Sequence, residues 1–226
     1  MLARSSSVLP PVILNLVILN GLFFLAQQIP PLSFYLNVWG ALWPLGAPDV
    51  VNVVPYGPTP GVGFYPWQVV STAFLHADLW HLLFNMYGLF LFGRGVEQAL
   101  GPKRFAVLFG ASVLGSSALQ LGMASAVLAA GGGLQTAIGA SGGLLGVVAA
   151  CAILFPRDEI LLFPFPFPIQ MKWLAAGYVA LDLLGATGVT GGNTAHFAHL
   201  GGFAAGALLI QYWRGRLPLR PRARLA

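Results

Sequence analysis

A serine and a histidine far apart in the chain are the residues best suited to covalent chemistry. Ser141 lies in Gly139-Ala140-Ser141-Gly142-Gly143, and His199 opens His199-Leu200-Gly201-Gly202-Phe203-Ala204-Ala205-Gly206. A serine hydroxyl is a weak nucleophile until a base accepts its proton, and a neutral imidazole can be that base. His81-Leu82-Leu83-Phe84-Asn85 supplies a second polar pair. Four residues apart, His81 and Asn85 share one helix face, and both can donate hydrogen bonds to a developing oxyanion. The backbone N–H of Ser141, unpaired at a helix N-terminus, would be a further donor. Each string also has a plainer reading. Small residues around Ser141 serve helix packing equally well, and His81 with Asn85 could form a polar clasp between helices. The Ser141 string satisfies G-x-S-x-G, but that nucleophile elbow needs a preceding strand and an α/β sheet, and neither fits here.

The elements that must position these groups are apolar. Of 226 residues, 57% are hydrophobic and 8% charged, with a mean hydropathy of +0.79. Soluble domains carry about 25% charged residues, so there is too little charge here to cover a water-facing surface. Six segments read as membrane spans, at about 9–28, 80–98, 103–126, 141–155, 169–187 and 195–213. The first could pass for a signal peptide, but its length and lack of a small-residue cleavage site predict a retained span. The reading is therefore an all-α polytopic membrane protein, a six-transmembrane-helix bundle forming one domain over 1–226. Gly142 and Gly146 after the serine, and Gly202 and Gly206 after the histidine, are spaced four apart. If those two faces meet, backbones approach closely and the hydroxyl comes near the imidazole.

Charge placement orients the bundle. All eleven basic residues fall on one side if the N-terminus is cytoplasmic: Arg4, Arg94, Lys103, Arg104, Arg157, Lys172, Arg214, Arg216, Arg220, Arg222 and Arg224. Both termini are thus expected in the cytoplasm, in a cell inner (plasma) membrane, with 214–226 a basic tail facing anionic lipid. That placement, without interleaved aromatics on a polar face, excludes a nucleic-acid partner. Residues 29–79 hold eight of the 17 prolines and many aromatics, which predicts a long interfacial outer loop between spans one and two. The fourth segment, about 22 Å long at 1.5 Å per residue, is too short to cross the core. It must start below the surface, and Gly131–Gly133 before it reads as a flexible stretch dipping inward. Irregular backbone at that depth requires a cavity beside Ser141.

Remaining polar residues receive structural readings. Asp182 could orient His199 as a third catalytic member, but a structural role is favoured for it and for His196; His76 is expected to hold the loop. Glu97 near Arg94 reads as an inner-edge ion pair, and the single cysteine, Cys151, as an inert buried thiol. Four histidines could ligate haem or a metal; that leaves Gly139–Gly143 and Asn85 unexplained, so no metal and no cofactor are expected.

In combination, HLLFNMYGLFLFGRGVEQALG, GASGG and AHLGGFAAG, in that order, resemble the rhomboid family of intramembrane serine proteases over roughly residues 64–207. The resemblance implies a serine endopeptidase with a Ser141–His199 dyad, no third acidic member, and His81 and Asn85 lining the oxyanion hole. It also implies cleavage of single-pass or polytopic membrane proteins near the outer face of the lipid bilayer, usually beside a small residue. Six spans look like the basic bacterial form. Two positions depart: Trp67-Gln68 stands where the family often has Trp-Arg, and Leu145 where an aromatic often packs on the histidine. The alternative is a non-catalytic relative that binds membrane helices.

Overall fold

The computed structural model describes residues 9–161, 167–186, 195–218 and 225. Arg4, the 188–194 connection and the tail residues Arg220, Arg222 and Arg224 therefore lie outside the described part. Helices occur over each of the six apolar segments: α1 (Pro11–Ala26), the run α4 (Leu79–Gly88), a π-helical turn (Leu89–Gly93) and α5 (Arg94–Leu100), then α6 (Pro102–Ala129), α7 (Ser141–Leu154), α8 (Met171–Ala186) and α9 (Ala195–Trp213). Short helices α2 (Pro30–Gly40) and α3 (Gln68–Ser71) lie between α1 and α4. By length and hydropathy, α6 alone is a self-sufficient membrane crossing among the described residues; α1 and α2 would qualify only as one span bent by 117°.

The bundle is built around α7. Ten consecutive residues, Gly142 to Cys151, are buried, as expected for a helix apolar on every side. Its neighbours approach as far as missing side chains allow. A Cβ at Gly202 would run into the Gly142 carbonyl, and one at Gly206 would meet the Gly146 backbone. Toward α6, Gly142 and Gly146 leave room only for Ser116 and Ser112, while Gly201 of α9 faces the Gly115 carbonyl. α9 thus meets both α7 and α6 backbone to backbone, and α6 meets α7 through two serines. Arg214, just past α9, closes the other end of α7 by donating from Nη1 to the Ile153 carbonyl at 3.2 Å. Positive charge there also suits the helix dipole.

One local reading gains partners, and two change. Glu97 is buried, and its carboxylate accepts the Val12 and Ile13 amides at 2.9 and 3.0 Å, satisfying N–H groups that α1 would leave unpaired. Gly131 and Gly132 terminate α6 rather than forming a flexible dip. Gly131, at a φ of 80°, bonds the Leu128 carbonyl and Gly132 bonds Val127, the paired closure of a Schellman motif. The 29–79 segment is folded: a hairpin pairs Val50–Val53 (β1) with Gly57–Pro60 (β2), and Val38, Trp43, Val51 and Val62 form a small separate core. Gln68, where the resemblance led us to look for an arginine, is fully buried inside it. Its Oε1 accepts from the Trp43 and Tyr65 amides, and its Nε2 donates to the Trp39 and Gly63 carbonyls. A neutral amide with both kinds of atom can satisfy donors and acceptors together, which a guanidinium cannot.

The α7–α9 contact gives the first prediction. Gly202→Ala forces a methyl against the Gly142 backbone and should destabilise the protein by about 1–3 kcal/mol, the usual range for overpacking. Gly177→Ala on α8, which meets open space, should not. Thermal unfolding of both variants in detergent tests the contrast.

Candidate active site

Ser141 begins α7, and the backbone leading to it is tied down from the outer segment. Leu42 and Ala137 exchange amide hydrogen bonds of 3.0 and 3.1 Å, and Gly139 N–H donates to the Thr72 carbonyl at 2.8 Å. The Thr72 hydroxyl in turn donates to the Ala137 carbonyl. Gly139 has a φ of 129°, a conformation that side chains strongly disfavour. It is also needed for space, since a Cβ there would sit 2.8 Å from Cε1 and Nε2 of His81. The missing side chain lets the His81 ring lie against the loop that delivers the serine.

His199 meets the serine from α9. Its Nε2 is 2.8 Å from Ser141 Oγ. Its Nδ1 is 3.0 Å from Asp182 Oδ1, and that same oxygen is 2.8 Å from His196 Nδ1. A carboxylate only accepts hydrogen bonds, so each Nδ1 carries the hydrogen. A neutral His199 then keeps its lone pair on Nε2, where the Ser141 hydroxyl can donate to it. The tautomer that general-base chemistry requires follows from the carboxylate behind the ring. Asp182, His196 and His199 also place their ligating atoms within 4.8 Å of one another, a spacing a cation could use.

His81 and Asn85 face the same place from α4. The Ala77 amide donates to His81 Nδ1 at 3.3 Å, which leaves the hydrogen on Nε2, the atom turned toward Gly139. Asn85 is buried and spends one N–H on the His81 carbonyl at 2.8 Å. Both line a cavity of about 370 Å³ with Ser141, His199 and Tyr178, whose other walls are mostly apolar, including Phe84 and Leu145. A second cavity of about 190 Å³ also opens on Ser141, and Thr72, Ser116, Ser117, Gln120 and Thr136 make it polar. Ser141 and His199 belong to both.

All the residues picked out for chemistry in the sequence are therefore gathered at one end of α7. Asp182, for which a structural role was favoured, stands directly behind His199 although the resemblance implies no acidic member. The polar face of α6 went unremarked in the sequence. Its signal was there, since Ser112, Ser116 and Gln120 recur every four residues in an otherwise apolar helix. His76, outside the spans, is buried beside His81, with ring centroids 5.0 Å apart and edge to face.

The chain is similar to several proteins of known family. The rhomboid domain family matches residues 64–216. The chain is 36% identical over 146 residues to Rhomboid protein 1, mitochondrial, of Saccharomyces cerevisiae, covering 64% of this chain and 41% of that protein. It is 30% identical over 151 residues to RHOMBOID-like protein 12, mitochondrial, of Arabidopsis thaliana, covering 62% and 44%. It is also 33% identical over 150 residues to Rhomboid protease GlpG of Yersinia pseudotuberculosis serotype I (strain IP32953), covering 66% and 49%. The match thus spans less than half the length of each of these relatives.

Burial, reinforced by the neighbouring His81, pushes the His76 imidazole down to about 4 from its ordinary 6.5. A lowered histidine pKa favours the folded state only while the ring is neutral. Stability is therefore full above about pH 6.5 and is lost as pH falls toward about 4. Thermal unfolding across that window should show the loss, and His76→Gln should flatten it.

Proposed function

This chain belongs to the rhomboid family, and from that premise we propose that it is an intramembrane serine endopeptidase acting through Ser141 and His199. The observation that carries the reading is the 2.8 Å contact between Ser141 Oγ and His199 Nε2, made across a helix contact too close for side chains. Rhomboid proteins are membrane-embedded, and we assign the six apolar helical segments as spans of one bundle. Both termini face the cytoplasm of an inner (plasma) membrane, a reading that the distribution of Lys and Arg supports. The site then lies toward the outer face.

The substrate class is a membrane protein whose scissile segment enters the apolar cavity beside His81 and Tyr178. Ser141 Oγ attacks the peptide carbonyl carbon while its proton passes to His199 Nε2. General-base assistance of this kind is worth about 10²–10⁴-fold. The carbonyl oxygen becomes an oxyanion and receives hydrogen bonds from His81 Nε2–H, the Asn85 amide and the Ser141 backbone N–H. Collapse of this intermediate breaks the C–N bond, and His199 returns the proton to the departing amine. The acyl-enzyme is then hydrolysed by water, for which the polar cavity beside Ser141 is the natural reservoir. That water attacks the acyl carbonyl carbon as His199 Nε2 takes its proton; the ester C–O bond then breaks and Ser141 Oγ recovers the proton from His199. No step calls for a cofactor or metal.

Cleavage of a model transmembrane substrate in proteoliposomes tests the assignment. Ser141→Ala and His199→Ala should each abolish cleavage, and Ser141→Ala should also abolish covalent labelling by a fluorophosphonate. Asn85→Ala should cost about 10²–10³-fold in turnover, the usual loss for one oxyanion donor. Wild-type protein that binds membrane helices but neither cleaves them nor labels would identify a non-catalytic binder instead.

A further inference from the structure

We propose that Asp182 is a positioning residue for His199, locking the imidazole in the tautomer that Ser141 needs, and that His196 braces the same carboxylate oxygen. This inference rests on the serine-protease reading above. Three groups stand in line: Asp182 Oδ1 is 3.0 Å from His199 Nδ1, and His199 Nε2 is 2.8 Å from Ser141 Oγ. Asp182 itself is only 7% exposed, in an apolar helix. Burying a carboxylate among apolar side chains is costly unless its hydrogen bonds are made.

The brace is built from both helices. His196 and His199 are three residues apart, so they project from one face of α9 toward α8. Their rings lie perpendicular, with centroids 6.4 Å apart, and each gives its Nδ1–H to the same oxygen. On α8, Gly185 follows Asp182 by three and makes room for the second ring, since a Cβ there would run into the His196 imidazole. The space for His196 is thus cut into the same helix face that carries the carboxylate.

A neutral imidazole has two tautomers, and only the one with hydrogen on Nδ1 leaves a lone pair facing the serine. An acceptor behind Nδ1 selects that tautomer before reaction. When Nε2 gains the serine proton, the same carboxylate faces a full positive charge across one hydrogen bond, in an environment that screens it poorly. Asp182 touches neither the substrate nor the reacting atoms. Its contribution belongs to the transition state, so its loss should lower kcat and leave KM in place.

The test compares wild type, Asp182→Asn, Asp182→Glu and Ser141→Ala in proteoliposomes, following kcat, KM, the rate of fluorophosphonate labelling and thermal unfolding. Asp182→Asn should fold and lose about 10²–10⁴-fold in kcat, with KM within about threefold and labelling slowed in parallel. Asp182→Glu, which keeps the acceptor but displaces it by one methylene, should recover at least about tenfold of that loss while remaining below wild type. Folded Asp182→Asn with wild-type kcat overturns the proposal. If Asp182→Asn does not fold, Asp182→Glu decides: reduced kcat at constant KM supports positioning, and unchanged kcat refutes it. Activity that collapses on EDTA treatment and returns with zinc also overturns it, because the three groups would then be metal ligands. A fully active Ser141→Ala would instead bring down the protease reading itself. An inactive Ser141→Ala beside a wild-type Asp182→Asn removes only this inference.

Discussion

Everything at the site depends on how closely α7 and α9 approach one another. Where Gly202 and Gly206 face Gly142 and Gly146, there is no room for even one Cβ. Ser141 and His199 are 58 residues apart in the chain, yet their side chains meet at 2.8 Å. A serine side chain is short, and an imidazole reaches only a few ångströms from its helix. Larger residues along the seam would separate the axes and open that contact beyond hydrogen-bond length. Small residues are how apolar helices in lipid gain dispersion energy, because the hydrophobic effect offers nothing between them there. The same packing that stabilises the bundle therefore sets the geometry of the candidate dyad.

A second constraint is that polar groups deep in an apolar bundle need partners from the protein. Glu97 meets it by accepting the first amides of α1, and Gln68 by joining four backbone groups of the outer segment. Asp182 meets it with two imidazoles. Each arrangement joins segments that local helix or strand hydrogen bonds leave independent. The outer segment, through Leu42 and Thr72, holds the turn before Ser141. The folded hairpin and α2 thus bear on the site although none of their side chains is proposed to react.

The two departures from the family pattern illustrate what a sequence reading can and cannot supply. Gln68 stands where the family often has arginine, and its amide satisfies four neighbours from a fully buried position. Leu145 in place of an aromatic raised the question of what orients the histidine ring. Leu145 lines the apolar cavity with His199, and the hydrogen bond that restrains the ring comes from Asp182 on another helix. Single residues advertised a difference in both cases, but its consequence lay in partners far away in sequence. Glu97 is similar: its sequence neighbours gave no sign of the two backbone amides, more than eighty residues away, that its carboxylate accepts.

The sequence alone determined the helical segments, the short fourth helix beginning at Ser141, the glycine spacing and the set of candidate residues. These are local properties: hydropathy along the chain marks helices, and the 3.6-residue repeat decides which residues share a face. The family followed from three ordered motifs, and the match over residues 64–216 agrees. Tertiary structure decided how each helix is rotated against its neighbours, and no periodicity contains that angle. Rotation of α8 against α9 is what brings Asp182 to His199 and His196, with Gly185 leaving the space. Packing of α6 and the turn before Ser141 against α9 gives that serine a polar cavity, and packing of α4 and α8 gives it a mostly apolar one.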